Sequence, residues 1–374
     1  MRVMTVLGTR PEIIRLSLVI PLLDEAAEHV LVHTGQNYHD ELDGIFFREL
    51  GVRAPDVQLG IRGTGFGEQV GRMLTAIEPI LLDHRPDRLL VLGDTNSGLT
   101  AIVARRLGIP VYHMEAGNRC FDDRVPEEVN RRIIDHCSTV LLPYTERSRS
   151  NLLREGIPSD RVYVTGNPIK QVADRYAGGI AASDVLLRLG VEEKRYFLVT
   201  MHRQENVDRE EPLRNLVEAL GRLHNEFRYP VICSLHPRTR SKIVQFGVDI
   251  EGAGLHFLDP LGFFDFVRLE RSSFCLLSDS GTVQEEACIL RVPSVTIREV
   301  TERPETVECG SNVLAGTHPA AILNAVRFVT AHSTAWAPPP EYVAPLVAET
   351  VSRLVTAFRP RDRMEADWQD GGRG

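Results

Sequence analysis

The chain has 374 residues, of which 43% are hydrophobic and 25% are charged, and its formal net charge is −8. This composition is typical of globular proteins and excludes collagen-like, disordered and disulfide-scaffold chains. The acidic balance disfavours nonspecific nucleic-acid binding, which needs a basic face. No apolar run approaches the ~18 residues of a membrane span, and the first residues lack a signal-peptide pattern. We therefore expect a cytoplasmic protein with reduced cysteines and no membrane partner.

Short apolar runs alternate with amphipathic stretches through the first half of the chain. The predicted strands are 2–7, 30–34, 89–92, 111–114, 140–142 and 162–164, and the predicted helices are 11–25, 67–84, 97–107, 127–136 and 146–155. Strands that alternate with helices indicate a parallel sheet covered on both faces.

The same alternation restarts after Asn167-Pro168. Here the predicted strands are 196–200, 231–235, 256–258, 274–277 and 294–297, and the predicted helices are 210–225, 263–270, 282–290 and 320–330. We expect an N-terminal domain over 1–167, a C-terminal domain over 168–343, a helix over 344–358 that crosses back to the first domain, and a mobile tail over 359–374.

Unusual polar residues in the first half follow directly after predicted strands. Arg10 stands at a helix start after a glycine turn, an arrangement that favours an anion, although the same segment also fits an ordinary capped turn. Asp94, Glu115 and Glu127 fall at one edge of the predicted sheet. Each could be a helix cap or an ion-pair partner, but their convergence predicts repulsion that raises at least one carboxyl pKa. We expect no metal site, because a DxD pair is lacking and Arg131 supplies positive charge.

The second half carries a comparable set. His202 and His236 follow two predicted strands, and Ser280-Gly281 open a helix whose free amides would suit a pyrophosphate. A buried histidine and a Ser/Thr capping box are the alternative interpretations. Arg303 follows the last predicted strand.

Taken together, these segments resemble one family. They read GTRPE at 8–12, GDTNS at 93–97, HMEAG at 113–117, PEEVNRR at 126–132, HRQEN at 202–206, SDSG and QEEA within 278–287, and TERPE at 301–305. The combination is similar to the non-hydrolysing UDP-N-acetylglucosamine 2-epimerases. This resemblance implies an α/β fold of two Rossmann-like domains facing a central cleft (glycosyltransferase-B-like), a homodimer, and no metal or nicotinamide cofactor.

The resemblance also implies roles for individual residues. The expected catalytic residues are Asp94, Glu115, Glu127 and His202. The expected substrate-binding residues are Arg10, Ser280 and Gly281 for the diphosphate, Glu286 for the ribose hydroxyls, Pro260 and Leu261 for the uracil, and Arg15, Arg131, His236 and Arg303 in support.

Three features of the sequence depart from the family pattern. Arg15 replaces a lysine, Ser280-Gly281-Thr282 replaces SGG, and the stretch 36–40 replaces a regulatory segment of the bacterial enzymes. These departures look more like the branch that forms UDP-N-acetyl-L-fucosamine from a 6-deoxy-talose precursor.

The expected reaction interconverts UDP-N-acetylglucosamine and UDP-N-acetylmannosamine by elimination and re-addition of UDP. The same chemistry on the 6-deoxy sugar is one alternative, and a glycosyltransferase of the same fold type is another. A sensor without turnover is a third. Cell-envelope polysaccharide and amino-sugar natural-product synthesis both stay open as the pathway served.

Overall fold

The computed structural model describes residues 1–35, 40–250, 252, 254–332 and 335–358. Most of the departing stretch 36–40 and the predicted tail 359–374 lie outside the described residues. Contacts divide the chain into two compact units, Met1–Val172 with the chain from Ala344 onward, and Ala173–Val343.

The first unit contains six strands and the helices that connect them. The strands are β1 Arg2–Leu7, β2 Glu28–His33, β3 Val57–Gln58, β4 Arg88–Leu92, β5 Val111–Met114 and β6 Val140–Leu142. The helices are α1 Arg10–Leu16, α2 Val19–Ala26, α3 Asp40–Glu49, α4 Phe66–His84, α5 Ala101–Arg106, α6 Pro126–Cys137, α7 Glu146–Arg154 and α8 Ile169–Arg175, the last of which runs across the boundary.

The second unit repeats this architecture with a different sequence. Its strands are β7 Phe197–Met201, β8 Val231–Leu235, β9 Leu255–Leu258, β10 Cys275–Ser278, β11 Ser294–Thr296 and β12 Asn312–Leu314. Its helices are α9 Ala177–Ala182, α10 Val185–Leu189, α11 Gln204–Val207, α12 Glu210–Phe227, α13 Pro237–Gln245, α14 Phe263–Ser272, α15 Gly281–Leu290, α16 Pro304–Glu308 and α17 Pro319–Ala331. One more helix, α18 Val347–Thr356, returns to the first unit and packs on α2.

Both sheets are parallel and share one strand order. The first runs β3-β2-β1-β4-β5-β6 and the second β12-β11-β10-β7-β8-β9. When each unit is counted from its own first strand, both read 3-2-1-4-5-6, the order of a dinucleotide-binding fold. The order reverses between β1 and β4 in one sheet and between β7 and β10 in the other. Ligands of such folds bind beyond the carboxyl ends of the strands, next to the place where the strand order reverses. The candidate residues follow the carboxyl ends of strands in both sheets.

Apolar side chains cover both faces of each sheet, so the central strands are almost wholly buried. Strand β4 is buried at every position, and helices α4 and α5 contribute Met73, Ile77 and Ala104 to the core beside it. In the second unit, α12 packs Leu213, Leu216 and Leu220 against β7 and β8. The predicted α/β class with two such sheets is therefore confirmed.

Several element boundaries differ from the sequence prediction. The single helix predicted over 11–25 is two helices, because Pro21 has no N–H to donate to the carbonyl of Ser17 and the chain breaks between them. The strand predicted over 162–164 is wrong, since this segment makes only one bridge, between Val162 and Leu141. Strands β3 and β12, of two and three residues, are absent from the sequence prediction. Among the described residues, no helix combines the length and apolarity that crossing a bilayer requires.

Candidate active site

The turn after β1 is built around a buried glutamate. Glu12 accepts hydrogen bonds from the Gly8 amide at 3.0 Å and the Thr9 hydroxyl at 2.7 Å, and Thr95 in the turn after β4 donates to it at 3.1 Å. Burial raises the pKa of Glu12 to about 7, although these three donors oppose the shift. Glu12 therefore ties together the two turns that flank the switch point of the first sheet. The guanidinium of Arg10, at the start of α1, lies 5.9 Å from the Phe46 ring centroid.

Asp94 is held by an arginine from α6. The Nε and Nη2 atoms of Arg131 lie 2.9 and 2.7 Å from Asp94 Oδ2, and Arg131 also contacts Glu128 at 2.8 Å. Glu128 is fully buried and accepts the amides of Cys120 and Phe121 at 3.1 and 3.0 Å. Burial alone would raise the pKa of Glu128, but these hydrogen bonds and Arg131 hold it below its ordinary value. One chain of contacts thus fixes Asp94 and the loop after β5.

Glu115 follows β5 in a left-handed backbone conformation, with φ of 64°. Its carboxylate binds the guanidinium of Arg15, whose face lies 5.6 Å from the Tyr144 ring centroid. Asn118 donates to the other carboxylate oxygen at 3.2 Å. Glu115 and Arg15 are 9% and 2% exposed, so this is a buried ion pair between a strand end and a helix. The strained backbone aims the carboxylate across the strand end toward α1.

Glu127 lies in the first turn of α6 and is half-buried. The structure thus gathers Asp94, Glu115 and Glu127 on the loops after β4 and β5 and on the helix that follows. Arginines neutralise two of these three carboxylates, so the expected mutual repulsion is offset by Arg131 and Arg15. At this edge burial raises the pKa of Glu12, which was not among the predicted catalytic carboxylates.

A buried aspartate organises the corresponding edge of the second unit. Asp279, after β10, accepts the backbone amides of His202 at 2.9 Å and Arg203 at 3.0 Å, together with Asn206 Nδ2 at 3.1 Å. The ring Nδ1 of His202 lies 3.2 Å from Asp279 Oδ1, and 38% of the His202 side chain is exposed. The His236 ring centroid lies 6.2 Å from that of His202. Asp279 therefore presents one accessible imidazole beside a second.

The next turn begins α15 with a close approach of chains. Ser280 is half-buried at the helix N-cap, and its amide donates to the Ser278 hydroxyl at 2.9 Å. A Cβ on Gly281 would lie 2.5 Å from Glu302 Oε1, so only glycine fits here without movement. Arg303 binds Glu285 of α15, and Glu302 binds Arg298 at 2.9 Å. These ion pairs fasten the 301–305 segment against the start of α15.

Three further predicted residues lie in the second unit. Pro260 and Leu261 are half-buried between β9 and α14, where Leu261 packs against a core cluster that includes Leu276 and Val283. Glu286 is buried on α15 and faces Glu270 of α14.

Sequence reasoning missed four residues that fix these loops, namely Glu12, Glu128, Asp279 and Glu302. All four are charged side chains buried within the quoted motifs, and each accepts hydrogen bonds from loop amides or ion-pairs with a neighbouring arginine. The available signal was the presence of acidic residues within the motifs, but the sequence does not show which acidic side chain is buried.

The model of the family described as UDP-N-acetylglucosamine 2-epimerase matches residues 23–358. The UDP-N-acetylglucosamine 2-epimerase of Methanocaldococcus jannaschii is 40% identical over 91% of this chain and 95% of its own. A Pseudomonas aeruginosa relative, UDP-2,3-diacetamido-2,3-dideoxy-D-glucuronate 2-epimerase, is 37% identical over 87% of this chain and 92% of its own.

Solved structures agree with the family match. The crystal structure of the M. jannaschii enzyme in complex with UDP-GlcNAc and UDP has a TM-score of 0.92 at 39% identity and covers 96% of this chain and 100% of that one. The glycosyltransferase WaaG has a TM-score of 0.56 at 12% identity over 97% of this chain and 96% of its own, a likeness of fold alone. The chain therefore belongs to the UDP-N-acetylglucosamine 2-epimerase family.

Proposed function

We propose that this protein is a non-hydrolysing 2-epimerase that interconverts UDP-N-acetylglucosamine and UDP-N-acetylmannosamine. The observation that carries the proposal is that Asp94 and Glu115 follow the paired parallel strands β4 and β5 at one edge of the first sheet, each bound to an arginine, in a member of this family. Each acid is bound to a buried arginine, so each carboxylate has an opposite charge beside it.

The chemistry requires a route around a weakly acidic proton. No carbonyl adjoins C2 of the sugar, so direct deprotonation there would be very slow. In the proposed route the C1–O bond breaks and UDP leaves as a base removes the C2 proton, giving a 2-acetamidoglycal. A proton then arrives at C2 on the opposite face, and the diphosphate oxygen of UDP re-forms the bond to C1.

This route needs one acid–base group on each face of C2, which is a reason for several carboxylates to lie in one site. We assign proton handling to Asp94, Glu115 and Glu127 without assigning a face to each. His202 would stabilise the departing diphosphate in its protonated form, together with the amides at Ser280 and Gly281. His202 Nδ1 lies 3.2 Å from Asp279 Oδ1, so an acidic side chain stands beside the ring. In the same scheme the second unit would bind UDP.

The test is solvent isotope incorporation. Incubation with UDP-N-acetylglucosamine in heavy water should place deuterium at C2 of both epimers, as followed by proton NMR. The Asp94→Asn variant should slow exchange by about 10²–10⁴-fold, the usual contribution of a general base. Asp83→Asn is the matched control, since Asp83 is an exposed aspartate near the end of α4. Epimerisation without deuterium at C2 would reject the elimination route.

The sugar is tested in parallel. The P. aeruginosa relative carries the name of a 2-epimerase for a different UDP-sugar, so one family serves more than one substrate. Incubation with UDP-N-acetylglucosamine and, separately, with the 6-deoxy-talose analogue identifies the substrate that turns over. Product formed without any added acceptor also separates an epimerase from a glycosyltransferase.

We also propose a cytoplasmic homodimer, on the strength of the family resemblance. Light scattering on the purified chain tests the dimer, and a monomer mass at micromolar concentration would contradict it.

A further inference from the structure

A second carboxylate lies behind Glu286. Glu270 belongs to α14, is fully buried, and meets the Glu286 carboxyl of α15, which is 7% exposed. Neither Glu270 oxygen receives a hydrogen bond from a donor among the described residues. The polar group that Glu270 meets is therefore another acceptor.

Two carboxylates in contact within a core need a proton between them. If Glu270 were ionised, a fully buried charge that receives no hydrogen bond among the described residues would face a second carboxylate. With one proton present, one carboxyl group donates to the other and both are satisfied. Glu270 is the more deeply buried of the two and is thus the one that keeps the proton, while the partly accessible Glu286 stays ionised.

Among the residues that the structure describes, Glu286 is the charged group that acts on Glu270. Burial and the neighbouring Glu286 both act to keep Glu270 protonated. Tyr196, which interacts electrostatically with Glu270 and also with Arg268 and Glu193, donates its hydroxyl to the Leu269 carbonyl at 2.5 Å. From α10, which packs on α14, Arg188 is engaged with Asp184 at 2.6 Å on the exposed side.

We propose that Glu270 is a positioning residue, a neutral acid that donates a hydrogen bond to Glu286 and orients that carboxylate as the acceptor for the ribose hydroxyls of the nucleotide. This inference rests on the proposed function, since it concerns the nucleotide end of the same substrate. It adds a residue from outside the motifs that carry the family resemblance.

Ribose discrimination is the direct test. UDP and 2′-deoxy-UDP are titrated calorimetrically into the wild type, Glu270→Gln, Glu270→Met and Glu286→Gln at one pH. The wild type should prefer UDP by about tenfold, as expected for one hydrogen bond to a charged acceptor. Glu270→Gln should keep that preference because its amide donates as the acid does, whereas Glu270→Met and Glu286→Gln should lose most of it. In turnover, Glu270→Met should raise KM much more than it lowers kcat.

Retention of the full preference by Glu270→Met would overturn the proposal, and so would its loss in Glu270→Gln. A wild type that binds UDP and 2′-deoxy-UDP equally would overturn it too, because Glu286 would then have no ribose to orient. Deuterium incorporation at C2 judges the epimerase function separately, so the two failures are distinguishable.

A stability measurement covers the case in which Glu270→Met does not fold. A carboxyl that stays protonated only in the folded state makes the wild type lose stability as pH rises above the ordinary glutamate pKa. From pH 5 to pH 8 the melting temperature of Glu270→Gln should therefore rise relative to that of the wild type. The exposed Glu218→Gln serves as the control without such a gain. A difference between Glu270→Gln and wild type that does not change with pH would overturn the proposal.

Discussion

Variants of the buried ion pair between Arg15 and Glu115 can distinguish a role of Glu115 in stability from a role in the reaction. Arg15→Met removes the cation at similar length, and Glu115→Gln removes the anion with little change of shape. Both side chains are at least nine-tenths buried, so each single change takes the opposite charge away from an ionised group in the core of the first unit. Unit charges about 4 Å apart at an effective dielectric constant of about 20 attract by about 4 kcal/mol. Breaking such a pair costs about 3–5 kcal/mol.

We expect each single variant to lose about 3 kcal/mol of unfolding free energy, which for a unit of this size lowers the melting temperature by roughly 6–12 °C. The double variant Arg15→Met/Glu115→Gln buries no unpaired charge. It should lose much less than the sum of the two single changes, by a coupling of about 2–3 kcal/mol. Urea denaturation monitored by circular dichroism measures all four proteins.

Turnover should not follow stability in this series. If Glu115 handles a proton, Glu115→Gln and the double variant should both lose about 10²–10⁴-fold in C2 exchange, although the double variant is the more stable of the two. Additive losses of stability would refute the ion-pair reasoning. Recovery of exchange in the double variant would show that Glu115 acts only through folding.

Two further predictions concern the turns after β1 and β10. Glu12→Gln should remove a pH dependence of stability. The folded protein holds a proton on Glu12 up to about pH 7, whereas the unfolded chain releases it near pH 4.5. Between these pH values the wild type should therefore lose up to roughly 3 kcal/mol of unfolding free energy relative to the variant. Parallel urea midpoints for the two proteins across this range would contradict this. Gly281→Ala should weaken UDP binding in calorimetry, because its methyl group would enter the space of Glu302. Gly221→Ala in α12, where an added Cβ meets nothing within 4 Å, should leave affinity unchanged and add up to about 1 kcal/mol of stability. Equal affinities of both glycine variants would contradict the steric argument.

The sequence predicts the two parallel sheets well because the signal is local. Buried strands are short apolar runs, and glycine or polar residues end them, so Asp94 and His202 could be placed directly after strands. Parallel pairing then brings those ends to one edge. The likeness of the motifs to one family supplied candidate roles that no spacing could provide.

The side chains that contact these residues could not be predicted from the sequence in the same way. Arg15 and Glu115 are 100 positions apart, and their contact depends on where the fold places α1 relative to the end of β5. Asp279 could equally have been an exposed helix cap, and only the fold turns it inward to bind the amides after β7. The unmatched strand prediction at 162–164 has a related cause, since a short apolar run packs equally well as an extended loop.

The packing of α18 on α2 has a consequence for synthesis in the cell. The first unit is discontinuous in sequence, because Val347, Val351 and Val355 supply part of its buried surface from the far end of the chain. On the ribosome, the polypeptide between Ala173 and Val343 emerges whole and is able to fold first, whereas the half made earliest must wait for the last helix. Until that helix is released, the nascent N-terminal half exposes an apolar surface on α2, and a stop codon shortly before residue 347 would damage the half that the ribosome completed long before.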